Sequence, residues 1–96
     1  MTRFTAMVQI FADPSAMDDV EMALSKLDNL EALFEVTGEF DIVALFSAAD
    51  NIEFGEFLRR KIRSIEGVKA TAISVVLKDV RSPTRWRASP EIPLVR

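Results

Sequence analysis

Apolar positions along the 96-residue chain change period several times, and each change marks an element boundary. "RFTAMVQIFA" (3–12) is a run of apolar and β-favouring residues and predicts a first strand. Asp13-Pro14 then reads as a helix N-cap followed by proline in the first turn. Met17, Val20, Leu24 and Leu27 recur at i, i+3, i+7 and i+10, one face of an amphipathic helix, with Asp18, Asp19 and Glu21 near its positive end. "EALFEVT" (31–37) and "DIVALFS" (41–47) predict two strands joined by a tight turn at Gly38. Asp50 and Glu53 have capping-box spacing, and Phe54, Phe57, Leu58, Ile62 and Ile65 mark a second amphipathic face. Gly67 is expected to end that helix, and "VKATAISVVLK" (68–78) to form the longest strand.

The predicted order is β-α-β-β-α-β. A gap-free shift of 35 positions pairs Val8 with Val43, Ile10 with Leu45, Met17 with Ile52, Glu21 with Glu56 and Leu27 with Ile62, which reads as an internal repeat. Two βαβ units make an α+β, ferredoxin-like sandwich: a four-stranded antiparallel sheet with both helices on one face. The strands are apolar on both parities, however. Phe4, Ala6, Val8 and Ile10 alternate with Met7 and Phe11, and residues 42–46 are apolar throughout. Helices cover only one face, so the other is expected to be buried against a second copy, giving a homodimer that dimerises through its sheet, with higher oligomers following.

Composition narrows the chemistry. The chain has no cysteine, histidine or tyrosine, which removes disulfides and thiol catalysis and leaves only carboxylates and lysines for proton transfer. Neither a metal site nor a cofactor is expected, because no Asp/Glu cluster has ligand-loop spacing. The absence of a long apolar run and of a signal-like N-terminus predicts a cytoplasmic protein with no membrane contact. Residues 1–77 hold seven basic and thirteen acidic side chains, so direct binding to nucleic acid is not expected. Residues 78–96 hold five basic and two acidic, and "RSPTRWRASPEIPLVR" (81–96) carries three prolines and the only tryptophan, Trp86. The expected organisation is therefore a domain over 1–80 and a basic tail or subunit-embracing arm over 81–96, anchored in the second case by Trp86.

The candidate chemistry lies around the Gly38 turn. Aspartate is depleted in strands, yet Asp41 stands at the mouth of the second hairpin strand. One reading makes it a cap on a backbone N–H. The other makes it the cation-binding half of a zwitterion site, whose anion-binding half is the backbone at Gly38. Thr37, Glu39 and Phe40 flank the pair, and Thr71 and Ser74 are polar positions within the apolar last strand. Arg59, Arg60, Lys61 and Arg63 read as a solvated helix face, with Glu56 placed four residues before Arg60. Gly55, within the second helix, is read as permitting close packing.

Two segments carry a family resemblance. "VTGEFD" (36–41) matches a V-T-G-x-aromatic-D pattern, and "SIEGV…T…VVLK" (64–78) matches S-I-x-G-V-x-x-T before a terminal strand. Across residues 3–80 the chain resembles the effector-sensing RAM domain of the Lrp/AsnC (feast/famine) transcriptional regulators. The resemblance implies dimers that assemble further, to tetramers or octamers, with an amino acid or related metabolite bound between dimers. It assigns the ligand loop to Gly38 and Asp41 and carries a polar pocket position to Thr71. The second threonine of the family pattern is replaced by Ile73, leaving Ser74 as the neighbouring polar group. The first strand begins near Met1, so the chain resembles the stand-alone RAM proteins that lack a helix-turn-helix.

The expected function is thus that of a non-enzymatic small-molecule sensor, related to transcription regulation and acting through self-assembly or co-assembly with a full-length regulator. Two other readings are distinct from it. One is a structural, partner-binding oligomer with no ligand. The other is a cofactor-free dimeric α+β-barrel enzyme, which the missing histidine, tyrosine and cysteine disfavour. An ACT-type sensor would need a glycine after the first strand, where this chain has "FADPSAM".

Overall fold

The computed structural model describes residues 4–81, and the tail with Trp86 lies outside the described residues. The elements are β1 (Phe4–Ala12), α1 (Met17–Ser25), β2 (Leu30–Glu35), β3 (Ile42–Ala48), α2 (Asn51–Phe57) and β4 (Val68–Val75). A 3₁₀ turn (Pro14–Ala16) leads into α1, and a π-helical turn (Leu58–Ile62) extends α2. The strands form one antiparallel sheet in the order β2-β3-β1-β4, the expected ferredoxin-like arrangement. At nine residues β1 is the longest strand described, not β4, which has eight. None of the described helices is long and apolar enough to cross a membrane.

The core lies between the sheet and the helices. Ala6, Val8, Ile10 and Ala12 of β1 and Ile42, Ala44 and Phe46 of β3 are buried together with Val20 and Leu24 of α1, Phe54 of α2, and Ile62. Phe46 and Phe57 pack at 5.0 Å between ring centroids, and Phe4 and Phe54 at 5.6 Å. At about 100° per residue, a regular helix would carry position 62 about 80° around from position 54. The π turn, closed by the Arg63 N–H donating to the Leu58 carbonyl at 2.9 Å, turns less per residue and keeps Ile62 in the core.

Both helix starts follow their sequence signals. Asp13 accepts from the Ser15 N–H and hydroxyl at 3.0 and 2.9 Å, and these bonds hold its carboxyl below the usual range. Asp50 accepts from the Glu53 N–H at 2.8 Å, while Glu53 accepts from the N–H of Ala49, one residue before the cap.

The 35-residue repeat does not survive as a structural equivalence. It matches buried Val20 to Gly55 and buried Leu24 to exposed Arg59. It also matches Val8, on the helix-facing side of β1, to Val43, which is paired with Gln9 on the opposite side. The cause is parity: β1 and β3 both turn their even-numbered residues toward the helices, so an odd shift exchanges the two faces. The Gly55 expectation also fails, because a Cβ there would meet nothing within 4 Å. Close approach occurs instead at Gly67, with φ at 102°, where a Cβ would lie 2.6 Å from the Ala16 Cβ and 3.0 Å from Val20 Cγ2. The Gly67 carbonyl accepts from the Asp13 N–H at 2.8 Å, fastening the approach to β4 onto the start of α1.

The second sheet face carries Met7 and Phe11 of β1, Val43 and Leu45 of β3, Phe34 of β2 and Val76 just beyond β4. No described helix packs on it. Phe11 is 45% exposed, a large apolar side chain left in water.

Candidate functional site

Residues 36–41 join β2 to β3 at the sheet end where β1 finishes and β4 begins. This connection of six residues is wider than the expected tight turn. The Val36 N–H donates to the Asp41 carbonyl at 2.9 Å and closes it. Gly38 has φ at 134° with open space around its missing side chain, so the backbone conformation alone accounts for glycine there. Thr37, Gly38 and Glu39 are exposed, and Phe40 and Asp41 are half-buried.

Asp41 is tied to β1 twice. Its N–H donates to the Ile10 carbonyl at 3.0 Å, and its Oδ2 accepts from the Ala12 N–H at 3.0 Å. The β1–β3 register ends at the Ile10–Ile42 pair. Beyond that point β3 offers no carbonyl to β1, and the Asp41 carboxylate takes its place. An aspartate at a strand mouth is thus a ladder acceptor supplied by a side chain, the first of the two readings open in the sequence. Phe40 meets Phe11 edge to face at 6.3 Å, which fixes the loop to the open sheet face.

The remaining predicted positions separate. Thr71 pairs with Ile10 and lies on the helix-facing side of β4, near the loop. Ser74 pairs with Met7 and lies on the open face, toward the middle of the sheet. Three residues apart on a strand, the two project to opposite faces, so within one subunit Ser74 does not take the place of the absent threonine beside Thr71. Arg59 and Arg60 both reach Glu56, at 2.8 and 3.3 Å, as expected of a solvated helix face.

One feature beneath the loop was missed in the sequence. Glu35, the last residue of β2, pairs with Ile42 and so projects toward the helices, where it meets Glu21 of α1. Hydrogen bonding to Glu35, then burial, then the negative charges of Glu35 and Asp18 push the Glu21 carboxyl from its ordinary 4.5 up to about 7. Oε2 of Glu21 is buried and no protein donor reaches it. The signal was available: Glu21 falls between Met17 and Leu24 on the apolar stripe, and Glu35 shares the parity of Leu33. Among the described residues, no three Asp or Glu side chains come together as a metal site would require.

Comparison with known proteins follows the same lines. The family model for the Lrp/AsnC ligand binding domain matches residues 5–86. An HTH-type transcriptional regulator of Methanocaldococcus jannaschii is 26% identical over 80 residues, covering 83% of this chain and 54% of that protein. The chain thus spans about half the length of the curated relatives it matches. A solved Thermus thermophilus protein superposes with a TM-score of 0.77 at 26% identity, covering 82% of this chain and 99% of that one. A feast or famine regulatory protein of Mycobacterium tuberculosis, solved in complex with L-methionine, superposes with a TM-score of 0.73 at 29% identity, covering 84% and 54% of the two chains.

Proposed function

The chain belongs to the Lrp/AsnC ligand-binding-domain family, and from that premise we propose that it is a cytoplasmic amino-acid sensor whose ligand sits at the 36–41 loop, between dimers. The family is one of regulators rather than enzymes, and no enzymatic activity is assigned to this chain. The observation that carries the reading is the family match over 5–86, which includes the loop and all of the sheet but Phe4. The L-methionine complex of the mycobacterial relative supports an amino acid as the ligand class.

Assembly follows from the open sheet face. Met7, Phe11, Phe34, Val43, Leu45 and Val76 form an apolar surface that a second copy, sheet against sheet, would remove from water. A ligand held between two such dimers stabilises the larger assembly by its preference for that assembly, and so converts metabolite level into oligomeric state. Co-assembly with a full-length regulator is the same mechanism with a different second chain. Glu39 and Asp41 supply carboxylates for an ammonium group, and Thr37, Gly38, Phe40 and Thr71 frame it.

The test is thermal unfolding against the twenty amino acids, with light scattering to read assembly. Saturating ligand at about a hundred times its Kd adds about 2.7 kcal/mol per site. A shift confined to one or two amino acids, accompanied by a change in mass, establishes the sensor. One observation favours a second reading, a structural oligomer without ligand: Asp41 already serves the Ala12 N–H. A panel with no shift and an unchanging mass selects that reading.

A further inference from the structure

We propose that Glu21 and Glu35 form a proton-operated clasp on the 36–41 loop: while one proton is shared, they hold α1 to the end of β2 and keep the loop in its binding form, and loss of that proton releases it. The proposal rests on the reading of this loop as the ligand site and adds its regulation. The geometry gives three grounds. Glu21 Oε2 is buried without a protein donor, so the pair lacks a bond unless a proton lies between the carboxyls. Glu35 is the last residue of β2, and the next residue, Val36, makes the hydrogen bond to Asp41 that closes the loop. Asp41 in turn holds Ile10 and Ala12, so a displacement of Glu35 is felt at every contact fixing the loop's base.

The charges that act on Glu21 are Glu35 from β2 and Asp18 from its own helix, both acidic. The connection before β4, which carries Arg63 and Glu66, packs its Gly67 against Ala16 and Val20. Lys69, at the start of β4, acts on Asp13 instead. Among the described residues, no basic group acts on Glu21. The step is a proton dissociation: the Glu21 carboxyl becomes a carboxylate beside Glu35 and the proton goes to solvent. The upward displacement of the Glu21 carboxyl to about 7 puts this step within the ordinary cytoplasmic range. Sharing is favoured below that value, and repulsion between two close carboxylates prevails above it.

The experiment reads amide hydrogen exchange at Val36 and Asp41, corrected for intrinsic rates, at pH 6 and pH 8. Wild type is compared with Glu21→Gln and Glu35→Gln, with L-methionine titrated into the same samples as probe. In wild type, loop protection is expected to fall tenfold or more between the two pH values. In Glu21→Gln the amide donates to Glu35 at either pH, so the ratio stays near one; Glu35→Gln repeats the test from the other side should the first variant fold poorly. Equal protection at both pH values in wild type, or the same fall in a folded variant, overturns the clasp. So does an L-methionine affinity that is identical at pH 6 and pH 8 in wild type. A pH-dependent loop that L-methionine never binds sustains the clasp and counts against L-methionine as the ligand.

Discussion

The Ala12 N–H donates to Asp41 Oδ2 at 3.0 Å, joining the end of β1 to the residue that precedes β3. One carboxylate therefore has two employments: it completes the ladder of its own subunit, and it stands in the loop where a ligand's ammonium group is expected. The two are separable by choice of substitution.

Asp41→Ala removes the acceptor and leaves the Ala12 N–H half-buried and unpaired. The expected loss is about 1–3 kcal/mol of stability, read as a lower midpoint in thermal unfolding, at about 4–8 °C for each kcal/mol. Asp41→Asn retains an acceptor oxygen and is expected to cost less than half as much. Ligand affinity measured in the Asn variant then isolates the charge. Equal affinity in wild type and Asn removes the carboxylate from ligand binding and leaves it a purely structural role.

The three glycines are expected to respond to alanine in three different ways. Gly67→Ala places a Cβ 2.6 Å from the Ala16 Cβ at a φ of 102° and should cost about 2–3 kcal/mol, among the largest single effects in the domain. Gly38→Ala meets open space and bears only the conformational cost of φ at 134°, about 1–2 kcal/mol. Gly55→Ala, helical and unobstructed, should stabilise by about 0.5–1 kcal/mol. Urea unfolding of the three variants checks the order.

What could be read in advance divides along physical lines. Element order, sheet topology and the buried faces of α1 and α2 were legible because period and capping chemistry are local. Asp50 on the Glu53 N–H and Asp13 on the Ser15 N–H are bonds within four residues. The Ala12–Asp41 bond spans 29 positions and becomes visible only when β1 lies beside β3. The separation of Thr71 from Ser74 was legible from strand parity alone, because an odd spacing along one strand puts two side chains on opposite faces. The Gly67 contact needs the third dimension: nothing near position 67 in the chain announces Ala16.

Stability should fall as pH rises from about 4.5 to about 7 through the Glu21 carboxyl, and level off above it. The sign follows from proton count: in that interval the folded state holds a proton the unfolded chain has released, so raising pH favours unfolding. Asp13 acts oppositely at lower pH. Its carboxyl lies below its ordinary 3.8, so its contribution is present above that value and disappears as pH drops through the folded-state titration. Urea midpoints at pH 5 and pH 8 test the first statement. A Glu21→Gln variant should lose most of the difference between them.

Leu45 pairs with Met7 in the middle of the open sheet face. Leu45→Lys leaves the helix-side core untouched and sets a charge where a second copy would pack. Light scattering should report a dimer or larger in wild type and a folded monomer in the variant. A wild-type protein that is monomeric at tens of micromolar contradicts the sheet-to-sheet assembly.

The strand order β2-β3-β1-β4 places the earliest of the four strands to be synthesised in the interior of the sheet, between the two made last. On the ribosome, β1 emerges with both hydrogen-bonding edges bare. One is covered only when β3 is complete at Ala48, the other only when β4 reaches Val75. The domain therefore has no native-like half: a nascent chain stopped before residue 75 exposes one edge of its longest strand, and closure of the sheet waits for the contact of greatest sequence separation. Folding is expected to be late, cooperative and slow for its size, with chaperone contact before release.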